Sequence, residues 1–78
     1  MTENVRLLDG TTNAAIVQLP GRRFPGLVIQ GDTLHELLRV AVSDDDDALV
    51  SLRDDLARFV DHYRRVLDRE GIALPWSE

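Results

Sequence analysis

Apolar residues along the chain follow two rhythms. Up to residue 31 they come in short runs separated by turn chemistry; from residue 32 onward they recur at intervals of three and four. Residues 5–8 (Val-Arg-Leu-Leu) form the first run, ended by Asp9-Gly10. Gly10-Thr11-Thr12-Asn13 is turn-forming, because Gly and Asn tolerate positive φ and Asn and Thr bond their own backbone. Residues 14–19 and 27–30 read as two further strands, the second β-branched at its centre. Between them lies Pro20-Gly21-Arg22-Arg23-Phe24-Pro25-Gly26, a loop punctuated twice by Pro-Gly. Three short strands separated by turns predict an antiparallel meander. The second and third strands are nearly continuous apolar runs, so helices are expected on one face and some other cover over part of the second.

Gly31-Asp32-Thr33-Leu34-His35-Glu36 is a helix start. Thr33 and Glu36 have capping-box spacing, with Asp32 the alternative cap. Leu34, Leu37, Leu38 and Ala41 fall on one face, and this helix is expected to end near residue 41 or 42. Ser43-Asp44-Asp45-Asp46-Asp47 ends it and opens the next, whose positive dipole end favours acids. Over residues 48–70, Leu49, Leu52, Leu56, Phe59, Tyr63 and Val66 recur at 3, 4, 3, 4, 3, widened by Val60 and Leu67. Asp54 with Arg58 and Asp61 with Arg65 have i,i+4 spacing in the acid-first order. Gly71 is positioned as a C′ residue with Ile72 packing back on the last turn. An apolar tail follows over residues 72–78, carrying Trp76.

The fold class predicted is α+β: a three-stranded antiparallel sheet (1–31), then a short and a long amphipathic helix (32–71) and the tail, as one domain over residues 1–78. A helix over 48–70 spans roughly 34 Å, whereas five-residue strands span only ~17 Å. The sheet therefore cannot roof the whole apolar stripe. Either the tail with Trp76 folds over it or a second copy does, and a homodimer is the expectation.

Charge narrows the partners. All nine basic residues are arginine, and the net charge is −5. Residues 1–31 carry +1 and residues 32–78 carry −6. An acidic chain without a basic stripe is a poor ligand for nucleic-acid phosphates or anionic membranes. No apolar run nears the roughly 18 residues needed to span a bilayer, which gives a cytoplasmic protein as the expectation. With no cysteine, disulfides, thiolate metal sites and cysteine nucleophiles are absent.

The chemistry points away from catalysis. There is no GxSxG elbow, P-loop or dinucleotide fingerprint, and a domain this small has little room for a pocket of about 300 Å³ or more. No catalytic residue, metal ligand set or cofactor is assigned. Asp44–Asp47 lack the alternating ligands, central Gly and distal Glu of a calcium loop and read as helix-dipole complementation. His62 reads as a surface residue and His35 as a local hydrogen-bonding group. The candidate partner contacts are Arg22, Arg23 and Phe24 on the Pro-flanked loop, with Trp76 as a second anchor, since Arg and Trp are over-represented at binding hot spots. The competing reading of that loop is a plain hairpin connection with solvated arginines.

Leu19-Pro20-Gly21-Arg22-Arg23-Phe24-Pro25-Gly26, continuing to Gln30-Gly31-Asp32 and followed by His62-Tyr63 and Ile72–Pro75, resembles a small bacterial family of unknown function. Separately, Pro25-Gly26 followed by Gly31-Asp32-Thr33-Leu34-His35-Glu36 is similar to the signature of HicB-like antitoxins. That resemblance implies a small α+β domain that binds and masks a toxin. The function expected is thus a non-enzymatic, self-associating protein-binding module of antitoxin or immunity type. The alternative is a small-molecule or metal-dependent function at the sheet–helix junction around Asp32, His35 and Glu36.

Overall fold

A computed structural model describes residues 4–10 and 14–77. Its elements are β1 (Arg6–Asp9), β2 (Ala15–Gln18), β3 (Gly26–Val28), α1 (Gly31–Ala41) and α2 (Asp46–Glu70). The sheet is an antiparallel meander of order β1-β2-β3, as the turn pattern predicts. Of the first expected turn, Gly10 is described and exposed, while residues 11–13 lie outside the described residues.

β2 is one residue shorter than expected at each end, and β1 and β3 depart slightly from their expected bounds for local reasons. The β1 register shifts between Leu7 and Asp9. A bulge inserts a residue and breaks the alternation of faces, and here Leu8 and Asp9 are buried in succession. The strand thereby runs one residue further than the apolar run. β3 ends at Val28, and Gln30 already serves as the N-cap of α1 in extended conformation. The Gln30 carbonyl accepts from the Leu34 amide at 3.0 Å. α1 therefore starts ahead of the expected cap, and Thr33 lies inside its first turn. The Thr33–Glu36 capping box does not form; no side chain caps this helix, and Asp32 Oδ1 accepts instead from the neighbouring Thr33 amide at 2.8 Å.

α2 ends where its sequence directs and begins at Asp46, two residues ahead of the expected start and within the acidic run. Asp45 is the N-cap, its Oδ1 accepting from the Asp47 amide at 3.0 Å and the Ala48 amide at 3.4 Å. Asp46 and Asp47 occupy the first turn, where the helix dipole favours them. Gly71 closes the helix in the left-handed region at φ 70°, and the Ile72 amide donates to the Leu67 carbonyl at 2.9 Å. Along the surface, Arg65 pairs with Asp61 at 2.8 Å as the spacing predicts. Arg58 pairs with Asp55 at i,i+3 and not with Asp54. Both spacings place the partners on one side of a helix, so either acid is within reach.

The core gathers at one end of the molecule. Leu8, Ile16, Tyr63, Val66 and Leu67 form it, with Ile72 and Leu74 packed against it. The sheet thus covers the last turns of α2 only. Nothing in α1 is buried; Leu34, Leu38 and Val42 are 59%, 61% and 74% exposed. Leu7, Leu27 and Val28 are exposed on the sheet, so the second cover expected there is not supplied by the described residues.

The size of the particle expresses this. Its radius of gyration is 14.5 Å, against about 11.5 Å for a compact chain of this length. Its accessible surface is 6015 Å², against about 4,800 Å² for a compact monomer of this mass.

Gly71→Ala forces a Cβ into the left-handed region. It is expected to lower unfolding stability by about 1–2 kcal/mol in urea titration, with the native circular dichroism retained.

Candidate functional site

The turn at Leu19-Pro20-Gly21-Arg22 explains the loop. Pro20 sits where φ is preset, and Gly21 takes φ 76°, which a side chain resists. The Arg22 amide donates to the Leu19 carbonyl at 3.3 Å. Gln18 Nε2 then braces the turn from within, donating to the Arg22 carbonyl at 2.7 Å and to the Leu19 carbonyl at 3.3 Å. At the other end the Tyr63 hydroxyl donates to the Pro25 carbonyl at 2.7 Å, tying the loop to α2. The backbone is held at both ends while the Arg22 and Arg23 side chains remain exposed. Neither pairs with a carboxylate among the described residues. Arg23 stacks its guanidinium over the half-buried Phe24 ring at 5.1 Å, which orders the pair as one flat, cationic surface.

Trp76 is in a different setting. Its ring stacks on Tyr63 with centroids 5.8 Å apart and 28° between planes, and it stays 39% exposed. The tail does fold back over the helical stripe, as one of the two expected covers, but only over its C-terminal end. Leu56 and Val60 remain 48% and 45% exposed.

Beyond that end the helices splay from the sheet and leave an open groove of about 540 Å³. Leu27 and Ile29 line it from β3 and the segment after it, Leu34 and Leu37 from α1, Leu56, Phe59, Val60 and Tyr63 from α2, and Trp76 from the tail. The sequence pattern leads to the expectation of no such volume. The space exists because a stripe that is continuous along α2 meets a sheet shorter than itself. The one polar group on these side chains besides the indole N–H is the Tyr63 hydroxyl, already committed to Pro25.

The junction around Asp32, His35 and Glu36 is shallow. A cleft of about 280 Å³ there is lined by Asp32, Thr33, Glu36, Leu37 and Asp55, and His35 is not among its walls. Glu36 is engaged by Arg39, whose hydrogen bond holds its carboxyl below the ordinary carboxylate range; Arg39 is raised by the same bond. Among the described residues no three His, Asp or Glu side chains are grouped to hold a metal.

His62 is not a surface residue as its position on the helix flank implies. It is half-buried, with Nε2 3.0 Å from Oδ2 of buried Asp9. Arg69 Nη2 donates to the Leu8 carbonyl at 2.8 Å, and its Nη1 lies 4.0 Å from Asp9 Oδ1. Arg6 and Glu70 add a pair at 3.6 Å on the rim. These contacts clasp β1 to the end of α2. Asp9 reads locally as a turn residue, and nothing in its spacing from His62 or Arg69 signals the meeting.

The family of unknown function DUF6959 matches residues 1–76. The chain belongs to that family. No curated protein and no solved structure matches it.

Tyr63 is the single tyrosine of the chain, and burial pushes its phenol above its ordinary value of 10.0. A raised folded-state value means stability fully present below the unfolded value and lost as pH rises through the folded one. Ultraviolet titration of phenolate is expected to show one transition above pH 10, shifting to the ordinary range on unfolding in urea. Tyr63→Phe is expected to cost about 1–2 kcal/mol at neutral pH by leaving the Pro25 carbonyl without its donor. It is also expected to remove the alkaline dependence of stability.

Proposed function

We propose that this protein is a non-enzymatic, self-associating protein-binding module, of antitoxin or immunity type, that engages its partner through the loop carrying Arg22, Arg23 and Phe24. The observation that carries the reading is the braced loop. Its backbone is fixed by Gln18 and Tyr63, while its two guanidinium groups stay exposed and have no carboxylate partner among the described residues. Groups held in place before binding lose less conformational freedom on association, and a guanidinium fork recognises carboxylates bidentately. The partner surface that fits is acidic with an apolar seat for Phe24. Trp76, beside Tyr63 at the end of the groove, is the second anchor.

The non-enzymatic reading rests on the walls of the cavities. The groove of about 540 Å³ is apolar, with no convergent acid, base or nucleophile, whereas reaction sites need a few polar groups aimed at one point. The local similarity to HicB-like antitoxins supports the partner class. The segment concerned leads from β3 through Gly31-Asp32-Thr33 into α1. The long α2 that follows stands where that family's pattern has another strand, so toxin neutralisation is the sharpest form of the reading and general protein binding its core.

The test begins with capture of the partner from the native host. Titration calorimetry with the purified partner then compares wild type with the Arg22→Ala/Arg23→Ala double variant. Removal of a hot-spot pair is expected to weaken Kd by about 30-fold or more, with thermal stability unchanged because both side chains are exposed. An unchanged Kd refutes the loop as the contact. A metal titration of the wild type checks the junction around Asp32, His35 and Glu36; a ligand bound to the native state alone must raise Tm.

A further inference from the structure

We infer that the apolar groove is the seat of a second copy of this chain, in a two-fold dimer whose α2 helices cross antiparallel near their midpoints. The inference rests on the self-association in the functional reading and specifies its surface.

Three observations select this occupant. The first is area. The accessible surface of 6015 Å² exceeds that of a compact monomer by roughly 1,200 Å², and a standard stable interface takes about 800 Å² from each partner. The second is the character of the patch. In a two-fold interface the same surface meets itself, so any net charge on it faces its own sign. The groove walls carry no charged side chain, which makes the face self-compatible although the whole chain carries −5. The third is the distribution of charge along α2. Asp45, Asp46 and Asp47 stand at its N-terminus, whereas toward its C-terminus Asp61, Asp68 and Glu70 balance Arg64, Arg65 and Arg69. Antiparallel crossing keeps the two acidic N-terminal ends apart and opposes the two helix dipoles. Parallel crossing aligns like with like.

The position of the axis follows. α2 spans Asp46–Glu70, and the exposed groove residues Leu56 and Val60 bracket its centre. A two-fold axis passing there brings Leu56 of each copy close to its symmetry mate. The α1 ridge of Leu34 and Leu38, otherwise in water, covers the flank of the opposing α2.

The experiment exploits the absence of cysteine. Wild type is expected to show twice the 8.8 kDa chain mass in sedimentation equilibrium at micromolar concentration. Leu56→Cys is expected to form an intermolecular disulfide under mild oxidation, and Leu7→Cys, exposed on the strand at the opposite edge of the sheet, is expected not to. Leu56→Arg and, independently, Leu38→Arg are expected to give the single-chain mass with helical circular dichroism retained. Both positions are exposed in the single chain, at 48% and 61%, so at least one variant is expected to fold. A wild type of single-chain mass overturns the dimer. A dimer that persists in both arginine variants, or that cross-links through Leu7→Cys in place of Leu56→Cys, overturns this interface. Neither result touches the loop, whose partner affinity is read separately in the Arg22→Ala/Arg23→Ala titration.

Discussion

Among the described residues, Ile16 at the centre of β2 and Leu67 near the end of α2 are the two large side chains fully withdrawn from water, and with Leu8, Tyr63 and Val66 they make up the core cluster; Ala14 is buried as well. The limit on this contact is length. A four-residue strand reaches about 13 Å, whereas the 25 residues of α2 extend about 37 Å. The sheet can therefore grip one end of the helix only. The open groove, the unburied α1 and the large radius of gyration all follow from that mismatch. The parts of the molecule away from the sheet carry helical periodicity without the burial that ordinarily stabilises it.

The same contact organises the loop. Tyr63 contributes its ring to the core and its hydroxyl to the Pro25 carbonyl, so packing of α2 under the sheet also fixes the segment that carries Arg22 and Arg23. On the other side, the clasp among Asp9, His62 and Arg69 holds the bulged strand against the same turns of helix. The braced arginine loop and the structural clasp thus lie at opposite edges of one small sheet, each anchored to the last three turns of α2.

Much of this architecture is legible in the order of residues. Spacing by three and four from Leu49 to Leu67 gives α2, the acids at 44–47 mark its start and Gly71 its end, because caps and periodicity act within a few residues. The strands are legible as runs, but the bulge at Leu8 is not, since it depends on what the neighbouring strand offers. The Thr33–Glu36 spacing misleads for a related reason. It is sufficient for a capping box, yet the extended Gln30 lets the helix begin earlier and leaves Thr33 inside it. Membership of DUF6959 agrees with the whole-chain likeness to a small family of unknown function. The candidate site divides the same way. The loop is visible from its Pro-Gly punctuation, whereas the groove arises between elements far apart in sequence, and the pairing of Asp9 with His62 spans the entire fold.

The stack of Trp76 on Tyr63 sets the single indole of the chain on the boundary between core and groove. Whatever fills the groove meets that ring, and whatever loosens the tail removes it from its phenol neighbour. The molecule thus contains its own optical gauge. Emission colour and quenching of one native fluorophore register the occupancy of a surface some distance from the arginine loop, with no label attached.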